Sequence, residues 1–317
     1  LEDSDYVVDE TILIDGDVSI SSENGAVISA NNENSIFNVS GNSKLTLSNL
    51  NLTNAKGING GAIYNEGTLI LNNCTFVNNK ATFGGAIYNN GTIILNNCTF
   101  KANVASVSGG AIYNLQDDLT IQDSTFIGNY AKIKNGILQG GAIANYANNL
   151  TVDNCSFVKN HLFNTNWYKN GKMYGGAIYL PYGELSISNC KFINNSAHWF
   201  GGAIASENEC GISITGTTFE NCRSVDDAGG AIYAFVLHLE NSTFVNNIAD
   251  NGGAISVQSH EYIYNSTFIN NKANKSSVIS LIYAMGGGNV NYNIFVNNTG
   301  ENILSAAGTS DSINLDY

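Results

Sequence analysis

The chain has 317 residues, with 13 Lys and Arg against 26 Asp and Glu, a formal charge of −13, and a single proline, Pro181. Such a surface repels phosphate backbones and anionic lipid, so nucleic acid and membrane surfaces are not expected as partners. No apolar run reaches the roughly eighteen residues a membrane helix needs, and the six cysteines are too few and too unevenly spaced for a disulfide scaffold.

Residues 1–34 carry two strand-like runs, Thr11-Ile12-Leu13-Ile14 and Gly25-Ala26-Val27-Ile28. They are expected to cap the N-terminal end of the fold, since a bare terminal strand edge invites aggregation. The start at Leu1-Glu2-Asp3 lacks the basic and apolar regions of a signal peptide, and the sequence reads as a piece of something longer.

From residue 35 to 300 the chain repeats itself. Gly-Gly-Ala-Ile starts at Gly60, Gly84, Gly109, Gly140, Gly175, Gly201, Gly229 and Gly252, and a worn copy, Ser276-Ser277-Val278-Ile279, follows. The steps are 24, 25, 31, 35, 26, 28, 23 and 24 residues. A second motif, Phe-x-x-Asn, keeps phase with the first, from Phe76/Asn79 to Phe295/Asn298, and fails only at Phe219, where Cys222 replaces the Asn. One unit reads Gly-Gly-Ala-Ile-Tyr-Asn, a short turn, Leu-Ile-Leu-Asn-Asn-Cys-Thr-Phe and an Asn-rich turn, with alternation of period two and no helical period.

A flat coil of short strands cannot bury its own apolar side chains, so the next coil must stack on it, like residue above like. The expected fold is all-β, a right-handed parallel β-helix of the pectin-lyase-like kind, with about ten coils of ~24 residues and three short strands each. A leucine-rich repeat has a similar length, but its leucine spacing and helical back are missing. Ile63 to Ile255 and Phe76 to Phe268 should form inward ladders, each buried side chain being worth roughly 1.5 to 3 kcal/mol. The paired glycines should take a tight corner, by positive φ or by close backbone approach. The Asn after each Phe should hydrogen-bond its own backbone and the Asn of the next coil. Sequons recur, Asn73, Asn97, Asn241 and Asn265 among them, and would suit a glycosylated surface protein.

Cys74, Cys98, Cys155 and Cys190 each stand two residues before a repeat Phe and should be small buried thiols. A Cys210–Cys222 bridge stays open, and no C-x-x-C or His pairing suggests zinc.

The two long steps place insertions in consecutive coils at the same corner, Tyr130 to Gln139 and His161 to Tyr174, and Ala197-His198-Trp199-Phe200 adds to that corner in the next coil. Loops on a rigid scaffold commonly carry recognition, and clustered aromatics offer faces to sugar rings or to a partner's apolar side chains. The candidate ligand-binding residues are Tyr130, Phe163, Trp167, Tyr168, Tyr174, His198 and Trp199, with Lys132, Lys134, Lys169 and Lys172 as a local basic spot. The alternative is that these loops fold down and bury their aromatics as a satellite core. The column Tyr64, Tyr88, Tyr113, Tyr179 and Tyr233 could likewise bind an extended glycan or merely cover a sheet.

Gly-Gly-Ala-Ile combined with Phe-x-x-Asn resembles the repeat of chlamydial polymorphic outer-membrane proteins, and the run GGAIYN-GTLILNNCTFVNN is similar to adhesin-like surface proteins of methanogenic archaea. The resemblance implies a cell-surface or extracellular location and attachment to another cell's surface protein or glycan. It leaves the anchor outside this chain, with residues 301–317 beginning a further coil or C-terminal cap. A passive spacer is the competing reading. Parallel β-helices also host polysaccharide lyases and glycoside hydrolases, which need clustered carboxylates. Here the acids are scattered: Asp117-Asp118, Asp226-Asp227, Glu207, Glu209, Glu240 and Glu261. No enzyme activity, cofactor or metal is therefore expected, and the chain is expected to be a monomer.

Overall fold

The computed structural model describes residues 1–2, 4–133, 136–164, 172–282 and 289–306. The chain is an all-β, right-handed parallel β-helix of about eleven turns. A representative coil runs Ile63–Asn65, Thr68–Asn72, Thr75–Val77 and Lys80–Phe83, and each strand pairs in parallel with its counterpart one coil on. The coil thus has four short strands where three are expected from sequence. The fourth, after Phe-x-x-Asn, forms a separate ten-stranded sheet. Its side chains vary from coil to coil, so no alternation announces it. The stacks of first, second, third and fourth strands are called the first to fourth sheets, of which the first three join in one continuous hydrogen-bonded sheet that bends around the core.

Residues 12–14 pair with residues 37–39, residues 17–29 pair with residues 44–53 with one register shift between Ser21 and Ala26, and Asp5–Val7 lies against Val27–Ser29. At the other end Asn302–Ala306 pairs with Ser277–Leu281.

The interior is built from columns. Phe76, Phe100, Phe126, Phe157, Phe192, Phe219, Phe244 and Phe268 are fully buried, with successive rings stacked 4.7–4.9 Å apart, which is the strand spacing itself. Ile63 and its counterparts are fully buried beside them. The two glycines of each unit divide the corner between them. Gly84 has φ +61°, where L side chains are strained, and a Cβ on Gly85 would sit 2.2 Å from the carbonyl oxygen of Gly110 in the next coil. Each three-residue strand of the third sheet is bracketed by single left-handed residues, Asn73 and Asn78 for example, which turn the chain without a loop.

Asparagines close the polar account of the corners. The Asn103 side chain donates to the Asn129 Oδ1 (2.9 Å) and to the Phe76 carbonyl (3.0 Å), and its own Oδ1 accepts from the backbone and side-chain nitrogens of Asn79. This pattern runs from Asn79 to Asn195 and resumes from Asn247 to Asn298. A second buried ladder, absent from the sequence expectations, links Asn65, Asn89, Asn114 and Asn145 at the opposite corner, with Nδ2–Oδ1 distances of 2.6–2.7 Å. All six cysteines are buried free thiols, so Cys210 and Cys222 are not bridged. Cys222 stands in for an Asn: its thiol donates to the Phe192 carbonyl, its backbone N–H reaches the Asn247 Oδ1, and burial pushes it up to about 12.

Candidate functional site

Both insertions leave from the fourth sheet. Tyr130–Ile133 pairs with His161–Asn164, and the returning strands Leu138–Gln139 and Met173–Tyr174 pair with each other, so the loops rise from one base. That base is anchored inward by a small apolar cluster, Ala105, Ala131, Leu138, Leu162, Met173 and Ala197. Facing outward, Tyr130 stacks on His161 with ring centroids 5.0 Å apart. Two residues further along the same strands, the Lys132 ammonium lies 5.4 Å from the Phe163 ring. Phe163 is 45% exposed and Ile137, on the first insertion, 49%. Ile137 escaped the sequence reading because an isolated Ile in a loop carries no pattern.

The other candidates lie elsewhere on this corner. Tyr174 is only 5% exposed and packs against Tyr179 and Phe200, which meets Tyr233 in turn. Together with Ala205 and Ala228 these rings form a satellite core on the outer face of the first sheet. Burial and the neighbouring Glu207 push the Tyr174 phenol up. Trp199 is half-buried beside Phe200, with its indole N–H buried and unpartnered, and His198 lies 3.5 Å from Asp226. Trp167, Tyr168, Lys134 and Lys169 lie outside the described residues. The structure therefore joins Tyr130 and Phe163 with Lys132 and His161, and places Tyr174 and Trp199 around Phe200.

The tyrosine column is closed to stacking ligands by its own geometry. Tyr64, Tyr88 and Tyr113 lie ring on ring, 5.3–5.4 Å apart, Ala144 breaks the column in the next coil, and Tyr146 tilts against Tyr113 from outside it, so the inner ring faces are covered. The Tyr64 hydroxyl donates to Glu66 at 2.7 Å, a bond that, with burial, pushes the phenol up to about 12. Tyr179 donates to Glu207 in the same manner.

Most of the scattered acids stay apart, and where stacking brings Asp250 beside Asp226-Asp227 the Lys275 ammonium lies among them. Asp117 accepts from Thr92, Asp118 from Asn149, Asp250 pairs with Lys275 at 2.6 Å and Glu240 with His238. Among the described residues no group of three or more His, Cys, Asp and Glu side chains is placed to hold a metal ion.

The repeated corner has a counterpart among known proteins. Four stretches match the Chlamydia polymorphic membrane protein repeat. They are residues 73–90, 97–115, 189–207 and 241–258, under a quarter of the chain. Each begins at the left-handed residue ahead of a third-sheet strand and ends just past the next Gly-Gly-Ala-Ile. No curated protein and no solved structure matches, so the likeness to archaeal adhesin-like proteins has no counterpart in these comparisons. The matched stretches stop at residue 115 and resume at residue 189, leaving out both coils that carry the insertions. The two insertions lie outside the matched stretches, whereas His198 and Trp199 fall within the match at 189–207.

Proposed function

We propose that this β-helix is displayed at a cell surface and works as an adhesin-like attachment module, binding another cell's surface protein or glycan at the loop corner. The observation that carries this reading is Phe163. A large aromatic ring stands 45% exposed beside a lysine, on the strands from which both insertions spring and outside the matched repeats. Exposed apolar rings on rigid supports are common attachment anchors. Tyr130, His161 and Ile137 extend the patch, His198 and Trp199 flank it, Trp167 and Tyr168 belong to the second insertion, and Tyr174 closes that insertion in the neighbouring satellite core. Its lysine gives it local positive charge on a chain of −13, which suits an acidic glycan or protein. On this reading the module has no catalytic role, and surface location rests on the family resemblance.

The test compares binding of the intact chain and a Phe163→Ala/Lys132→Ala variant to whole cells and a glycan panel. Affinity should fall at least about tenfold, as expected for truncated anchor residues, with the thermal midpoint unchanged. Full binding by the folded variant would move the site elsewhere, and no binding by the unaltered chain would favour the spacer.

A further inference from the structure

The outer face of the third sheet carries a pattern that appears only once the coils are in register. Its strands are three residues long, with Phe inward, so each shows two side chains outward. In the second outward column Val158 occupies the middle. One coil away on either side stand Ile127 and Ile193, two coils away Lys101 and Glu220, and three coils away Val77 and Val245. Over these seven coils the column reads the same in both directions, except that the two charges have opposite sign; beyond them the match ends, with Thr53 on one side and Ile269 on the other. Branched outward residues are ordinary on a sheet, but strand preference does not place a cation and an anion at equal steps from the centre.

We infer that this face pairs with the same face of a second copy, antiparallel, about a two-fold axis through Val158. A two-fold axis across the helix returns each column onto itself reversed, so a residue n coils above the centre meets its counterpart n coils below. Lys101 of each copy then meets Glu220 of the other, Ile127 meets Ile193, Val77 meets Val245, and Val158 meets itself. In the neighbouring column Thr99 meets Thr218, Thr75 meets Thr243, and Lys191 meets Thr125. The contact runs for six coil steps, about 29 Å at the usual strand spacing. Partly buried β-branched side chains form its apolar centre, and the two ion pairs fix orientation and register. This pairing departs from the monomer expected from the sequence and is independent of the loop-corner proposal, which lies on the fourth sheet.

Sedimentation equilibrium of the full chain over a concentration series tests it. The mass should rise towards twice that of one chain. Lys101→Glu and Glu220→Lys should each raise the dissociation constant at least about tenfold, and the double charge swap should bring it back near the starting value. Val158→Lys, which sets like charges on the axis, should leave only monomer. All three altered side chains point outward, so circular dichroism should show each variant folded. A chain that stays monomeric at every concentration, a double swap no better than the single changes, or an unaffected Val158→Lys variant each overturns the proposal.

Discussion

In the coils between Gly60 and Asn160 two asparagine ladders run unbroken, one at each side of the coil. Between Gly175 and Leu281 the ladder that begins at Asn65 has gone and the one that begins at Asn79 is interrupted. Leu180, Ser206, Ala234 and Val257 occupy the places that Asn65, Asn89, Asn114 and Asn145 hold below, and Cys222 stands among the Phe-x-x-Asn asparagines. The upper half also buries a carboxyl: Glu261 stands on the inward column of Leu185, Ile212 and Leu237, 3% exposed, with neither oxygen hydrogen-bonded. Both halves keep the same backbone path. Stacked coils fix the path through main-chain pairing and apolar columns, while the polar ladders decide how much stability each step holds.

That contrast can be broken from below. Asn129→Ala strands the backbone N–H and side-chain amide of Asn103 and the carbonyl of Phe100, all buried. Each orphaned group costs roughly 1 to 3 kcal/mol, so a loss of about 4 kcal/mol is expected in denaturant unfolding. Protection in hydrogen exchange should fall first in the coils around Phe126. A loss under about 1 kcal/mol would mean that water replaces the ladder at little cost.

It can be sharpened from above at Glu261. Burial pushes this carboxyl up to about 7 from an ordinary 4.5. A raised carboxyl is neutral in the fold while the unfolded chain ionises, so its contribution is fully present below pH ~4.5, drains away up to pH ~7 and is flat above. The expected drop is about 3 kcal/mol across that window. Glu261→Leu should abolish the slope, gaining about 3 kcal/mol more at pH 8 than at pH 4. Identical pH profiles for the two proteins would show that the carboxyl finds water or a partner in solution.

The smallest effect is expected at Cys222. Cys222→Asn puts an oxygen where the nitrogens of Asn195 now meet sulfur, and should stabilise the chain by about 1 kcal/mol, the net worth of an ordinary hydrogen bond. A destabilised variant would mean that the thiol fills a space too small for an amide.

The features that repeat were legible in the sequence because repetition is itself the signal. Phe76 to Phe268, Gly84-Gly85 and Asn79 to Asn195 could be placed in columns before any coordinate existed. Asn65 could not, since an Asn at the end of Gly-Gly-Ala-Ile-Tyr-Asn looks like any turn residue until its neighbour one coil up is known. The fourth strand escaped because its pairing is carried by the main chain while its side chains drift from Lys80 to Val104 to Tyr130 to His161. Glu261 was hidden by the register shift after Ala234, which moves the alternation that would have marked it as inward. In the candidate site, Tyr130 and Phe163 were found by their insertions. The burial of Tyr174 depends on Tyr179 and Phe200, which reach it from different strands and a different coil. The symmetry about Val158 needs the register too, because the insertions make the sequence distances to Lys101 and Glu220 unequal.

The hydrogen bonds between coils all point along the helix axis, and this makes the molecule an extensible tether. A pull between its first and last coils loads those bonds in series, so the coils give way one at a time from the weaker end. A coil of 24 residues, such as that from Gly60 to Gly84, surrenders about 4.8 Å of stacked height and pays out roughly 80 Å of extended chain. A surface joined through such a solenoid would meet a sudden load by lengthening in steps, and could rewind once the load passed.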